Sequence, residues 1–191
     1  MKKTPAQKIF EKVKKVALSS KKVEGYGSKN ANRYHNPIMP FDEVIIFKKG
    51  PYFILDSFTG GEQNFGRSTY YLKGKPVYGM LYYGTMTSNK VTPKETYSFL
   101  KKALRAGVGK AVHRGPKSFK EGDFLYVHKT TSKRGFFEGE ERIYYGKKLA
   151  YIQVYFAGPI YDSKPRDLWA KKLLSSKDLV RELNKFLKIK G

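Results

Sequence analysis

The sequence predicts an α+β protein made of two antiparallel β-meander units, each packed with a helix, followed by a C-terminal helix. Three observations carry this expectation. Short apolar runs are separated by Gly- and Pro-bearing turns too short for parallel crossovers. Two segments opened by Thr-Pro carry apolar residues at helical spacing. Finally, Gly50-Pro51-Tyr52-Phe53-Ile54-Leu55 returns 72 residues later as Gly122-Asp123-Phe124-Leu125-Tyr126-Val127. The same offset puts Phe65 on Phe137, Gly74-Lys75 on Gly146-Lys147 and Tyr83 on Tyr155. One domain over residues 1–191 is expected, with pseudo-repeat units over residues 41–85 and 117–158.

The first helix is expected over residues 5–19. Thr4-Pro5-Ala6-Gln7 supplies an N-cap, a proline at the first helical position and a capping-box Gln. Ile9, Phe10, Val13, Val16 and Ala17 then form an apolar stripe. Residues 21–40, rich in Gly, Asn and Pro, read as a long loop. Strands follow at Val44–Phe47, Tyr52–Phe58, Ser68–Leu72 and Val77–Tyr83, the last two joined by Lys73-Gly74, where glycine permits a tight hairpin. Thr92-Pro93-Lys94-Glu95 announces a second helix with Tyr97, Leu100, Ala103 and Leu104 on one stripe and a stop at Gly107. Further strands are expected around Phe119, Phe124–His128, Glu141–Tyr145 and Leu149–Phe156. A helix over residues 177–188, capped by Ser176, presents Leu179, Val180, Leu183, Phe186 and Leu187 inward.

With 40% hydrophobic residues and 15 Tyr and 13 Phe, the chain has the bulk for a folded core. It has no cysteine, which excludes disulfides, thiolate metal sites and cysteine nucleophiles. No apolar run reaches the roughly 20 residues that span a bilayer, and no secretory signal is evident, so a cytoplasmic address and no membrane partner are expected. The formal charge of +23 attracts polyanions at low salt. A nucleic-acid surface would draw on Lys12, Lys15, Lys185 and Lys188 of the terminal helices. Lysine dominates over arginine, whose planar fork phosphate-clamping surfaces favour, and the charge equally serves solubility.

Candidate chemistry is sparse. Gly25-Tyr26-Gly27-Ser28-Lys29 lacks the strand-to-helix context of a phosphate-cradling loop. His35, His113 and His128 are widely separated, so neither a metal site nor a cofactor is expected. Ser57 has no base placed beside it. Glu138, Glu140 and Glu141 could pair carboxylates, although such clusters are commonly solvated turns. Arg114-Gly115-Pro116 holds an arginine on a rigid loop, ready to bind an anion or to pair with Asp56 or Glu141. Aromatics at alternating strand positions (Tyr78, Met80, Tyr82; Tyr151, Tyr155) suit a ligand pocket or simply the core.

The segment from Asp56 to Gly158 resembles an uncharacterised bacterial and archaeal family catalogued as a domain of unknown function. It is carried by Tyr52-x-x-x-Asp56-Ser57-Phe58-x-Gly60-Gly61, Lys75-Pro76-Val77-Tyr78-Gly79-Met80-x-Tyr82-Tyr83-Gly84 and Phe99-Leu100-Lys101-x-Ala103-Leu104. Arg114-Gly115-Pro116, Gly122-Asp123-x-x-Tyr126 and Phe137-x-Gly139-x-Glu141-x-Ile143 continue it. In bacteria the family often stands behind a helix-turn-helix domain, which implies an effector-sensing module and no assigned activity. Relatives would carry polar residues where this chain has Ser68, Leu81, Ile152 and Phe156, which counts against catalysis here. The resulting expectation is a non-enzymatic domain holding a small anionic or aromatic ligand with Asp56, Tyr83, Arg114 and Glu141. Nucleic-acid binding and an enzyme acting on a small anionic substrate are the alternatives.

Overall fold

The computed structural model describes residues 32–35, 41–107, 114–133 and 136–160. The helices expected over residues 5–19 and 177–188 lie outside these residues. Among the described residues nine strands appear in chain order: β1 (Asn32–His35), β2 (Asp42–Lys49), β3 (Tyr52–Gly60), β4 (Gln63–Leu72), β5 (Lys75–Met86), β6 (Ser118–Glu121), β7 (Phe124–Lys133), β8 (Phe136–Tyr145) and β9 (Lys148–Pro159). One helix, α1 (Pro93–Ala106), stands between β5 and β6.

All nine strands form a single antiparallel sheet in the order β1-β2-β3-β4-β5-β9-β8-β7-β6. This corrects the expected α+β arrangement of two meander units, each with its own helix. The long strands β5 and β9 pair directly, from Tyr78 opposite Pro159 to Met86 opposite Tyr151. Each would otherwise end its meander with a row of unpaired N–H and C=O groups, and joining them removes both edges. Among the described residues one helix serves the whole sheet, and its main packing is on β6 and β7. The loop expected over residues 21–40 also contains β1, which pairs with β2.

Local chemistry explains the turns and the helix. Lys73 and Gly74 both have positive φ, 52° and 77°, as a two-residue hairpin with the right twist requires. Helix α1 begins with a complete capping box: Thr92 Oγ1 accepts from the Glu95 N–H, and the Glu95 carboxylate accepts from the Thr92 N–H. Its inner stripe, Phe99, Leu100 and Ala103, packs against Tyr126, Ile143 and Tyr151. A second cluster gathers Tyr78, Met80, Tyr82, Tyr155 and Ala157 at the β5–β9 seam.

The two faces of the central strands differ sharply. Alternate residues share a face, and Tyr78, Met80, Tyr82, Tyr151, Gln153 and Tyr155 are buried. On the opposite face Phe65, Leu81, Tyr83, Val154 and Phe156 are 41% to 54% exposed. Cross-strand pairing makes those five side chains neighbours, with Phe65 opposite Tyr83, Tyr83 opposite Val154, and Leu81 opposite Phe156.

Candidate functional site

Three cross-strand rows build the covered face. The first runs Asp56, Ser68, Met80, Ala157, Phe137. The second runs Gly66, Tyr82, Tyr155, Gly139, and the third Asn64, Gly84, Gln153, Glu141, His128. Glycines decide how the tyrosines lie. A methyl group on Gly66 would overlap the Tyr82 ring, and one on Gly139 would overlap Tyr155. Each ring therefore folds flat over the neighbouring strand. Tyr82 OH reaches Asp56 Oδ1 at 3.1 Å, where Ser68 Oγ also donates at 2.6 Å. Tyr155 OH meets His128 Nε2 at 2.9 Å, and His128 Nδ1 lies 3.2 Å from the Gly115 carbonyl. That carbonyl can only accept, so in the neutral ring Nδ1 carries the hydrogen and Nε2 accepts from Tyr155.

Glu141 is fully buried and accepts from three donors. Arg114 Nε bonds Oε2 at 2.7 Å, Gln153 Nε2 bonds Oε2 at 2.9 Å, and Tyr126 OH bonds Oε1. Of the two partners the sequence offered Arg114, this pairing takes Glu141. Burial alone would lower the Arg114 pKa, but the Glu141 charge and hydrogen bond outweigh it and the net shift is upward. Burial, reinforced by the charge of Glu141, raises Tyr126. Burial and the charge of Asp56 do the same to Tyr82. These phenols are thereby held as neutral donors. The arginine's loop is pinned by packing, since a methyl on Gly115 would run into Tyr126.

From Glu141 a hydrogen-bond chain of fixed direction crosses the sheet. Gln153 donates to Glu141, so its Oε1 is the atom that accepts from Tyr151 OH, at 2.8 Å. Tyr97 OH spends its hydrogen on the Gly61 carbonyl. Both phenols must then accept from Asn64 Nδ2, which they do at 3.1 Å and 2.9 Å. Gly84 leaves the space that the Tyr151 hydroxyl fills.

A cavity of about 220 Å³ opens beside this network, between the sheet, α1 and the Arg114 loop. Asp56, Asn64, Tyr82, Lys101, Arg114 and Gln153 are among its lining residues. The Arg114 guanidinium carbon sits 5.8 Å from the centre of the Tyr82 ring. Of the site residues expected from sequence, Asp56 and Arg114 line the cavity and Glu141 stands behind Arg114. Tyr83 points to the opposite face and is 46% exposed; Tyr82 occupies the inward position. Lys12, Lys15, Lys185 and Lys188 lie outside the described residues. Ser68 bonds Asp56, whereas Leu81 and Phe156 belong to the exposed face. The sequence reading passed over Asn64, Tyr97 and Gln153. For Gln153 the available signal was a carboxamide at an inward position of the largely apolar strand β9.

Among the described residues no cluster of three or more His, Asp or Glu could hold a metal ion, and no helix is long and apolar enough to cross a membrane. The fold and site define a broad antiparallel sheet with a polar-lined cavity beneath one helix. The chain belongs to the family described as Domain of unknown function (DUF5680), which matches residues 56–160, from Asp56 in the cavity wall to the end of β9. No curated protein and no solved structure matches the chain.

Proposed function

We propose that this chain is a small-molecule-binding domain whose site is the cavity between Asp56, Tyr82 and Arg114. The observation that carries the reading is Arg114. Its Nε is committed to Glu141, while Nη1 and Nη2 make no hydrogen bond among the described residues. A guanidinium at the wall of a cavity, pre-aligned by a buried carboxylate and backed by a tyrosine ring, is a prepared hydrogen-bond fork. Aromatic walls with a few convergent polar groups are the usual composition of ligand pockets. Asp56 and Glu141 are both anchored by hydrogen bonds, so the site has the fixed geometry of a receptor.

Equilibrium dialysis of the full chain against a small-molecule extract, read by mass spectrometry, tests this. Wild type is expected to retain a discrete compound. Lys101→Trp, which places bulk at the rim without touching the Glu141 network, is expected to lose it while keeping its circular dichroism and Tm. Retention of nothing, or equal retention by the variant, would overturn the reading.

A further inference from the structure

The cavity's unspent hydrogen-bonding groups define what fills it. The network fixes the Asn64 carboxamide. Both Nδ2 hydrogens go to Tyr97 and Tyr151, so the oxygen is the remaining polar atom, and Oδ1 makes no hydrogen bond among the described residues. It is an acceptor with capacity to spare. At Arg114 the polarity is reversed, because Nη1 and Nη2 can only donate. The cavity thus presents a donor fork from the loop and a carboxamide oxygen from β4.

Charge narrows the class further. Two acids, Glu43 and Asp56, and two bases, Lys101 and Arg114, line the cavity, with Glu141 behind Arg114. Although the chain carries a net +23, its cavity is not a cationic sink. A multiply charged phosphate ester would face Asp56 and Glu43, with only the Lys101 ammonium and a guanidinium already shared with Glu141 to set against them. A ligand carrying one anionic and one cationic group finds opposite charge for each among the lining residues, and Phe58, Leu100 and the tyrosine rings accommodate an apolar side chain.

We infer that the ligand is a small zwitterion bearing a carboxylate and an ammonium or N–H donor, of the type of an apolar α-amino acid. The carboxylate takes the Arg114 fork, and the nitrogen donates to Asn64 Oδ1. This rests on the binding role proposed for the cavity and adds the chemistry of its occupant.

Isothermal titration of the full chain with L-leucine and L-phenylalanine, their C-terminal amides and their N-acetyl derivatives tests it, with uracil and inorganic phosphate as competing classes. At least one zwitterion is expected to bind, with its amide and its N-acetyl form each weaker by 10-fold or more. Arg114→Lys, which keeps a cation beside Glu141 but loses the fork, is expected to weaken the zwitterion at least 10-fold and its amide much less. Equal binding of the blocked forms, binding of uracil or phosphate alone, or silence from every probe would overturn the inference. A compound retained in dialysis would, in those cases, leave the binding role itself standing.

Discussion

Tyr82 and Tyr155 stand directly opposite each other across the β5–β9 seam, and their hydroxyls leave in opposite directions, to Asp56 and to His128. The pair joins the two meanders and sets where the cavity begins, because the Tyr82 ring forms part of its wall.

The first prediction concerns the glycines beneath those rings. Gly66→Ala and Gly139→Ala each drive a methyl into a buried tyrosine ring packed against strand backbone. Each is expected to cost about 1–3 kcal/mol in urea denaturation. Gly61→Ala, with nothing within 4 Å of the added carbon, is expected to be near neutral. Equal effects at all three positions would contradict the packing described.

The Arg114–Glu141 pair gives a second. Arg114→Met leaves a fully buried carboxylate without its cation and is expected to cost about 3–5 kcal/mol. Adding Glu141→Gln removes the stranded charge, so the double variant should be more stable than Arg114→Met alone. A double-mutant cycle in chemical denaturation reads this, and additive losses would show that the two side chains are not coupled.

Alkaline stability supplies a third. Burial raises the pKa of Tyr78, Tyr82, Tyr126 and Tyr151, and pushes Tyr70 from 10.0 up to about 12. Above pH 10 the unfolded chain releases these protons while the folded chain keeps them. The unfolded state then binds fewer protons, and stability falls as pH rises. The stabilisation is complete below pH 10 and is lost progressively through pH 12 and beyond, at about 1.4 kcal/mol per pH unit for each tyrosine. Phenolate absorbance is expected to rise in two stages, exposed tyrosines first and the buried group together with loss of tertiary structure. A single ionisation near pH 10 with the fold intact would refute this.

Helix α1 provides the fourth. Thr92→Ala removes the cap that satisfies the Glu95 N–H, at a cost of about 1 kcal/mol. Because Tyr97, Leu100 and Lys101 of the helix line the cavity, the variant should also weaken ligand binding. Faster hydrogen exchange confined to α1 would mark the cause, and unchanged exchange would count against it.

Part of this was legible in the chain. Thr92-Pro93-Lys94-Glu95 reads as a helix start because a cap is a local event, completed within four residues. Lys73-Gly74 reads as a hairpin for the same reason. That Tyr78, Met80 and Tyr82 share one face was also visible, but not which way that face points. Tyr82 and Tyr83 are adjacent and chemically identical, however, and only the pairing of β5 with β9 identifies which of them faces inward. Asn64 and Tyr151 are separated by 87 positions, and nothing local to either announces their bond.

By itself, then, the sequence determined the local events: turns where backbone φ must be positive, a helix start where side chains satisfy free N–H groups, and strands where apolar residues alternate. Tertiary structure alone decided that two meanders become one sheet, since the edges of β5 and β9 carry the same backbone groups whatever their side chains. It also decided that Asn64 and Arg114 share a cavity. The directions of their hydrogen bonds are set by partners far along the chain, so their unspent capacity exists only once every other donor and acceptor has found its place.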